Sequence, residues 1–282
     1  MSALVARPAR LGDTAFRYGP LLAAAAVFAL PIYWLVATSL KKQSEYSASP
    51  IVLFPEFPQW SNYQLAVTMA DFPKFALNSV VLSTAYTALV VITSALVGFG
   101  FARHRGPGRD RLFVLVIATM MVPGLVLFVP QFVLFARLEL TNSYWPWILW
   151  GIGGSPFHIF LFRQFFASFP RELEDAAEVD GAGPLRIFLQ IFLPNAGPAL
   201  AASAIFAFLW VWSDYLYPIL LLSDQNTTLA VKLAKAYVDP RGNPLQTVTM
   251  AGIVLYVLPL VLVFFAAQRF IVRGIVTTGL KG

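Results

Sequence analysis

The sequence predicts an all-α, polytopic membrane protein, and three observations support that prediction. Of its 282 residues, 58% are hydrophobic and 12% are charged, roughly half of the charged fraction that is usual in soluble domains. The mean hydropathy is +0.70. Long apolar runs recur along the chain, and each is long enough for a helix that crosses the hydrocarbon core of a bilayer. Because the runs are continuous rather than alternating, they do not fit the strands of a membrane barrel.

Six apolar runs are the predicted transmembrane helices of a single domain that covers residues 1–282. They are approximately residues 19–40, 76–102, 112–135, 144–166, 198–222 and 248–272. The first run follows several arginines, as in a signal peptide, but it is too long for one and has no convincing cleavage site, so we expect it to be retained. Prolines and glycines inside the runs predict kinks, which neighbouring helices can tolerate.

The basic residues predict the orientation of the spans. If the N-terminus is cytoplasmic, thirteen of the 20 Lys and Arg residues lie in cytoplasmic loops and seven lie in the opposite loops, as the positive-inside rule requires. The loop from Arg103 to Arg111 alone contains four arginines. Both termini are therefore predicted to be cytoplasmic. The net charge of +6 is explained by topology and contact with membrane lipid, and no nucleic-acid partner is expected.

A polar island between the fourth and fifth spans predicts a helix-turn-helix in the cytoplasmic loop 168–197. Pro170 and the acidic residues after it favour a helix start, because proline fits the first turn and negative charge is stabilised at a helix N-terminus. Gly181 and Gly183 predict the end of this helix, since glycine readily adopts positive φ. Pro184 predicts the start of a second helix, and Pro194 predicts its end.

The two predicted helices differ in character. On the first, small side chains at Ala176, Ala177 and Asp180 share a face that another protein could approach closely. On the second, an apolar face recurs at helical spacing, which is typical of a helix in the membrane interface; its members are Leu185, Phe188, Leu189 and Phe192. We interpret the segment as a docking surface rather than as an interfacial helix without a partner.

The motif in this loop resembles the signature of the permease subunits of binding-protein-dependent ABC importers. The shared pattern is an acidic residue before Ala-Ala, then Asp-Gly, then Ile-x-Leu-Pro, here at residues 175–177, 180–181 and 191–194. Asp175 stands where the family usually has glutamate. The C-terminal residues 268–282 are similar to the tail of carbohydrate-importing permeases, in particular the smaller permease of maltose-type systems.

The resemblance implies which residues contact partner proteins. It implies docking on an ATPase subunit through Glu174, Asp175, Ala176, Ala177, Asp180 and Gly181. It also implies that the tail, with Gly279, Lys281 and Gly282, reaches toward the interface between two ATPases, although a solvated chain end is the alternative. The implied partners are a second homologous permease, two ATP-binding subunits and an extracytoplasmic solute-binding protein. The implied location is the cell (inner) membrane of a bacterium or archaeon.

Asp214 is the one acidic residue within a predicted span. A carboxylate at that depth is costly unless it faces a partner or a wet cavity. With the aromatic residues Trp210 and Tyr215 it would suit a pathway for a sugar. A local hydrogen bond near the outer end of the span is an equal alternative. His158 is a further polar residue in an apolar run, and we expect it to hydrogen-bond between helices.

The sequence contains no motif for catalysis. It has no G-x-x-x-x-G-K-(S/T) loop, so ATP and Mg are expected on partner ATPases and no cofactor is expected on this chain. With two histidines and no cysteine, a metal site is not expected. The predicted function is therefore that of a permease subunit, not an enzyme, in an ATP-driven importer for a carbohydrate.

Three alternatives remain open. The first is an ABC permease for a non-sugar solute, because the loop motif is shared across importers. The second is an ion-driven carrier, which would favour mid-membrane coupling charges and inverted repeats. The third is a membrane enzyme that acts on lipid-linked sugar.

Overall fold

The computed structural model describes residues 11–279, with side chains described for residues 18–265 except residue 236. Within this part of the chain every regular element is helical, which confirms the all-α class, and one isolated antiparallel bridge joins Val238 to Pro244. The helices are α1 (Leu11–Ser39), α2 (Gln43–Tyr46), α3 (Ser61–Met69), α4 (Phe72–Arg103), α5 (Arg109–Ala118), α6 (Gly124–Arg137), α7 (Trp145–Gly153), α8 (Pro156–Ala167), α9 (Glu172–Val179), α10 (Pro184–Ile187), α11 (Leu193–Asn195), α12 (Gly197–Trp212), α13 (Leu216–Leu221), α14 (Leu229–Ala236) and α15 (Gln246–Gly279). A 3₁₀ turn (Thr119–Met121) follows α5, and a π-helical turn (Phe188–Phe192) lies between α10 and α11.

Three helices in the described chain are long and apolar enough to cross a membrane. They are Tyr18–Ser39 within α1, Phe72–Arg103, and Gln246–Phe265 within α15. Two helix pairs meet the same criteria only when their members are joined: Arg109–Met121 with Gly124–Arg137, bent by 96°, and Pro184–Asn195 with Gly197–Trp212, bent by 82°. The described residues therefore provide three to five candidate spans, compared with the six that the sequence predicts.

Three of the predicted spans contain full breaks where the sequence predicts continuous or kinked helix. The run 112–135 breaks at Val122, whose backbone is extended, because the residue before a proline disfavours the α region. The run 144–166 breaks at Gly154, where φ is +71°. The run 198–222 breaks at residues 213–215, between α12 and α13.

The described chain forms two compact units. One contains residues 11–69 and 237–255. In this unit the side-chain amide of Asn62 donates to the carbonyl oxygens of Ser39 and Lys41, both at 2.8 Å. These bonds satisfy the last carbonyl of α1, which has no partner in the helix, and a carbonyl of the turn that follows it. The Tyr237 hydroxyl donates to the carbonyl of Ala66 at 3.0 Å.

The other unit contains residues 70–236 and 256–279 and is built around α4, which packs against α7, α8 and α12. Two glycines allow the close approach of these helices. A Cβ at Gly98 would lie 2.7 Å from Cβ of Phe162 in α8, and a Cβ at Gly151 would lie 2.8 Å from Cβ of Leu89 in α4. His158 Nδ1 and Ser203 Oγ are hydrogen-bonded at 2.9 Å and join α8 to α12, as expected for His158.

Candidate functional site

The first arm of the 168–197 loop is the helix α9, which begins at Glu172, two residues after Pro170. Glu172, Glu174 and Asp175 lie in its first turn, where negative charge is stabilised by the helix dipole. The chain turns at Gly181, whose φ of +75° is the left-handed conformation that favours glycine. The predicted first helix and its glycine turn are therefore present.

The turn after α9 is a Schellman motif. The Gly181 N–H donates to the carbonyl of Glu178 at 3.0 Å, and the Ala182 N–H donates to the carbonyl of Ala177 at 2.9 Å. These two bonds satisfy carbonyl groups at the end of the helix. The turn fixes the direction in which the chain leaves α9.

The second arm differs from the sequence prediction in two details. Gly183 has a φ of −74° and extended backbone, so it begins α10 and does not end α9. Pro194 does not end the arm either, because it lies within α11 (Leu193–Asn195). The π turn before it already bonds the Leu193 N–H to the carbonyl of Phe188, and a proline is tolerated in the first turn of the α-helix that follows.

The predicted apolar face of the second arm is divided. Phe188 and Phe192 are buried, whereas Leu185 and Leu189 are exposed. A π turn holds more residues than an α turn, so it shifts the side chains that follow it around the helix axis. The observed buried side of this arm consists of Ile187, Phe188 and Phe192.

Arg103, the last residue of α4, joins the loop to the helix bundle. One terminal guanidinium nitrogen donates to the carbonyl of Phe169 at 2.7 Å and to that of Pro170 at 3.3 Å. Its Nε lies 3.7 Å from Oε2 of Glu174, and the guanidinium carbon lies 4.8 Å from the ring centroid of Phe192. The side chains of Arg103 and Glu174 are 5% and 16% exposed. The sequence prediction counted Arg103 only as a topology charge.

An aromatic cluster lies beside this contact. The Phe99 ring, one turn before Arg103 in α4, has its centroid 4.9 Å from that of Phe192 and 5.3 Å from that of Phe188. Phe166 of α8 lies 6.2 Å from Phe99 and 5.6 Å from Phe192. The second arm is thus packed against the ends of α4 and α8.

The six predicted docking residues fall into two groups. Four are exposed: Asp175, Ala176, Asp180 and Gly181. The other two face the bundle, since Glu174 pairs with Arg103 and Ala177 is buried in the core of its unit. The sequence prediction did not include Val179, which is 88% exposed. An apolar residue within a polar island was the signal available for it.

The structure gives Asp214 one local hydrogen bond. Its Oδ1 accepts from the backbone N–H of Tyr217 at 3.2 Å, in the first turn of α13. Its Oδ2 is buried and has no hydrogen-bond partner within the described chain. The local hydrogen bond that was one of the two alternatives is therefore present.

Aromatic residues surround the segment that contains Asp214. The ring centroid of Trp210 lies 5.2 Å from that of Tyr86 and 6.4 Å from that of Trp150, and the rings of Trp150 and Tyr217 are 4.9 Å apart. Trp210 and Tyr215 are both exposed.

The predicted tail residues are only partly covered by the structure. Gly279 is the last residue of α15, and Lys281 and Gly282 lie outside the described residues. Their role stays a prediction.

The fold and the loop define a helical membrane protein with an exposed acidic helix fixed to the ends of its transmembrane segments. Residues 91–277 match the family described as binding-protein-dependent transport system inner membrane component. The chain therefore belongs to this family. It is a permease subunit of an ABC importer and not an enzyme. Family membership implies an ATPase, a partner permease and a solute-binding protein.

Similar proteins and a solved structure agree with this membership. The chain is 34% identical over 262 residues to a lactose transport system permease protein of Rhizobium radiobacter, covering 92% of this chain and 93% of that one. It is 34% identical to an arabinooligosaccharides transport system permease protein of Halalkalibacterium halodurans, over 89% of this chain and 91% of that one. A bacterial ABC transporter involved in the import of the acidic polysaccharide alginate has the same fold, with a TM-score of 0.77 and 24% identity over 94% of this chain and 99% of that one.

Proposed function

We propose that the cargo of this permease is a carbohydrate and that a second, homologous permease completes the membrane pathway. The names of similar proteins support this cargo, because they specify lactose, arabinooligosaccharides and diacetylchitobiose. A relative from Pectobacterium atrosepticum that is 33% identical over 95% of this chain is named for sn-glycerol-3-phosphate. A phosphate ester is therefore the second candidate. An extracytoplasmic solute-binding protein delivers the cargo in either case.

In the proposed topology the chain crosses the cell (inner) membrane of a bacterium or archaeon six times. The six crossings are α1, α4, α5 with α6, α7 with α8, α12 with α13, and α15. Both termini and the 168–197 loop are cytoplasmic, which places the four arginines between Arg103 and Arg111 on the inside, as the positive-inside rule favours.

The exposed face of α9 docks on an ATPase subunit in this proposal. The observation that supports docking is that Asp175, Ala176 and Asp180 are exposed beside Val179, which is 88% exposed, on a helix that is itself anchored to α4. ATP and Mg are bound by the two ATPase subunits. Closure of the ATPase pair moves the loop and opens the pathway outward, and hydrolysis resets it. The tail, with Gly279, Lys281 and Gly282, reaches toward the ATPase interface.

The pathway itself includes Asp214, Trp210 and Tyr215 in the proposal. The exposed rings of Trp210 and Tyr215 near Asp214 support this assignment, because aromatic faces beside a hydrogen-bonding acid suit a sugar.

The docking proposal is tested by Asp175→Lys and by Gly181→Trp, with Glu139→Lys as the control. Glu139 is exposed and lies on the opposite side of the membrane in the proposed topology. A reversed charge at a docking interface places like charges together or removes a favourable pair, so co-purification of the ATPase subunit and solute uptake fall about tenfold or more. The amount of inserted permease stays the same. Full uptake and co-purification by Asp175→Lys would show that α9 is not the docking helix, whatever the result for Gly181→Trp, which also strains the turn after α9.

The cargo is tested separately. Thermal unfolding of the cognate solute-binding protein is measured with a panel of sugars and phosphate esters, because a ligand that binds the folded state raises the unfolding midpoint. Stabilisation by oligosaccharides and not by phosphate esters supports the carbohydrate assignment, and the reverse result overturns it.

A further inference from the structure

The loop 168–197, named the coupling loop from here on, is attached to the bundle both covalently and through side-chain contacts, and these attachments lead to different helices. The covalent connection is the four-residue link 168–171, which joins α9 to α8. A polar, non-covalent connection is the side chain of Arg103, which belongs to α4 and not to α8. The Phe99 ring of α4 packs on Phe188 and Phe192 in the second arm, and the Arg103 side chain adds a polar contact from α4 to α9 itself.

Arg103 contacts all three parts of the loop. Its terminal nitrogen holds the carbonyls of Phe169 and Pro170 in the link, its Nε lies 3.7 Å from Glu174 in the first arm, and its guanidinium carbon lies 4.8 Å from the ring of Phe192 in the second arm. A guanidinium group can do this because it is planar, has several N–H donors and stacks on aromatic faces. A lysine ammonium has the charge but not this geometry.

Glu174 and Asp175 are neighbours in sequence but point in different directions. Consecutive residues in a helix do not share a face, and here Glu174 is 16% exposed against Arg103 while Asp175 is exposed to solvent. One acidic residue of the motif is thus turned toward the bundle, and its neighbour is turned toward the proposed ATPase.

We infer that Arg103 and Glu174 form the mechanical link that passes movement of the coupling loop to α4, and that both are positioning residues rather than docking residues. The inference rests on the proposed docking of α9. Since α4 packs against α7, α8 and α12, a loop clamped to its end moves the central helix of the bundle as well as α8. The pair therefore determines how much solute is moved for each ATP hydrolysed.

The test uses the assembled transporter with its ATPases and cognate binding protein, in proteoliposomes. Arg103→Gln and Glu174→Gln are compared with Arg105→Gln, which removes the same charge from an exposed position two residues away. We expect both pair variants to retain ATPase co-purification and to lower the ratio of uptake to ATP hydrolysis about tenfold, within the range usual for coupling between sites. We expect Arg103→Lys to have a ratio of uptake to ATP hydrolysis between those of Arg103→Gln and the native protein, and Arg105→Gln to have the native ratio.

The double variant Arg103→Gln with Glu174→Gln shows whether the two residues act as one unit. If they do, its ratio equals that of either single variant, because residues in one network are not additive. Losses that multiply would overturn the inference, as would uptake and hydrolysis that fall together at a constant ratio. Should Arg103→Gln fail to assemble, Glu174→Gln decides the question alone.

The result is separable from the docking test. Asp175→Lys reports on docking through co-purification, whereas the pair variants report on the transport ratio with docking intact. If Asp175→Lys still co-purifies normally with the ATPase subunit, the proposal that α9 is the docking helix is wrong. If Asp175→Lys loses co-purification but Arg103→Gln keeps its ratio of uptake to ATP hydrolysis, docking stands and only the proposed mechanical link is wrong.

Discussion

Two glycines of α4 lie two residues apart and have opposite surroundings. An added Cβ at Gly98 would lie 2.7 Å from Cβ of Phe162 and 3.0 Å from the backbone nitrogen of Arg163, whereas an added Cβ at Gly100 meets no described atom within 4 Å. Backbone in α8 cannot give way as a flexible side chain can. Gly98 is therefore required by packing, and Gly100 is not.

We expect Gly98→Ala to destabilise the protein by about 1–3 kcal/mol, the usual effect of overpacking a filled core. Gly100→Ala is its control and should be neutral or stabilising by up to about 1 kcal/mol, because alanine has the higher helix propensity. The measurement is the thermal unfolding midpoint of each purified variant in one detergent. Equal midpoints for the two variants would contradict the close packing of α4 on α8.

For the acidic residues of α9, the sequence predicted the helix but not which of its sides faces the bundle. The motif correctly indicated a polar helix and its glycine turn, but it placed Glu174 and Ala177 on the docking surface with Asp175. Which side of α9 faces the bundle depends on where the end of α4 lies, and that position is set by contacts between residues about seventy positions apart. No local pattern in the loop contains this information.

At the scale of elements, composition located the helices better than it located their breaks. All six apolar runs contain helix, yet those at 112–135, 144–166 and 198–222 each consist of two helices. Hydrophobicity indicates whether a segment can lie in lipid. A kinked helix and a broken helix can both lie there, so hydrophobicity does not distinguish them. Whether a proline or glycine bends or ends a helix depends on the neighbours that satisfy the freed backbone groups.

Substitutions in the second arm of the coupling loop can test which of its apolar side chains are buried. The helical spacing predicts one apolar face for Leu185, Phe188, Leu189 and Phe192, whereas the π turn buries only the two phenylalanines. Phe192→Ala should destabilise by about 3–5 kcal/mol, the usual loss for a buried aromatic ring. Leu189→Ala is the matched control, and we expect a loss of less than about 1 kcal/mol because its side chain is largely exposed.

Thermal unfolding of the two variants in detergent distinguishes the registers. A single apolar face predicts similar losses for both substitutions, and the observed register predicts a large loss only for Phe192→Ala. Comparable destabilisation by Leu189→Ala would show that the arm is a regular α-helix in solution.

At the scale of the whole molecule, the number of crossings depends on whether each bent helix pair spans the membrane, which gives up to five, and on whether α7 and α8 together form the sixth. The pair Arg109–Met121 with Gly124–Arg137 is bent by 96°, and the pair Pro184–Asn195 with Gly197–Trp212 is bent by 82°. A bent pair either continues across the bilayer or returns to the side from which it came. The distribution of basic residues favours crossing, because a returning first pair would place Arg171 and Arg186 of the 168–197 loop on the side opposite to the arginine-rich loop 103–111.

Single cysteines at both ends of each bent pair decide between crossing and return, and the native chain contains no cysteine that would interfere. Gly106→Cys and Arg137→Cys flank the first pair, and Gly183→Cys and Gln225→Cys flank the second; all four positions are exposed. We expect a membrane-impermeant maleimide to label Arg137→Cys and Gln225→Cys in intact cells, and to label the two glycine variants only after permeabilisation. Labelling of each variant in permeabilised cells is the control for thiol accessibility. If both members of a pair react from the same side, that pair is re-entrant and the six-span topology is wrong, because each returning pair removes one crossing and reverses the orientation of every segment after it.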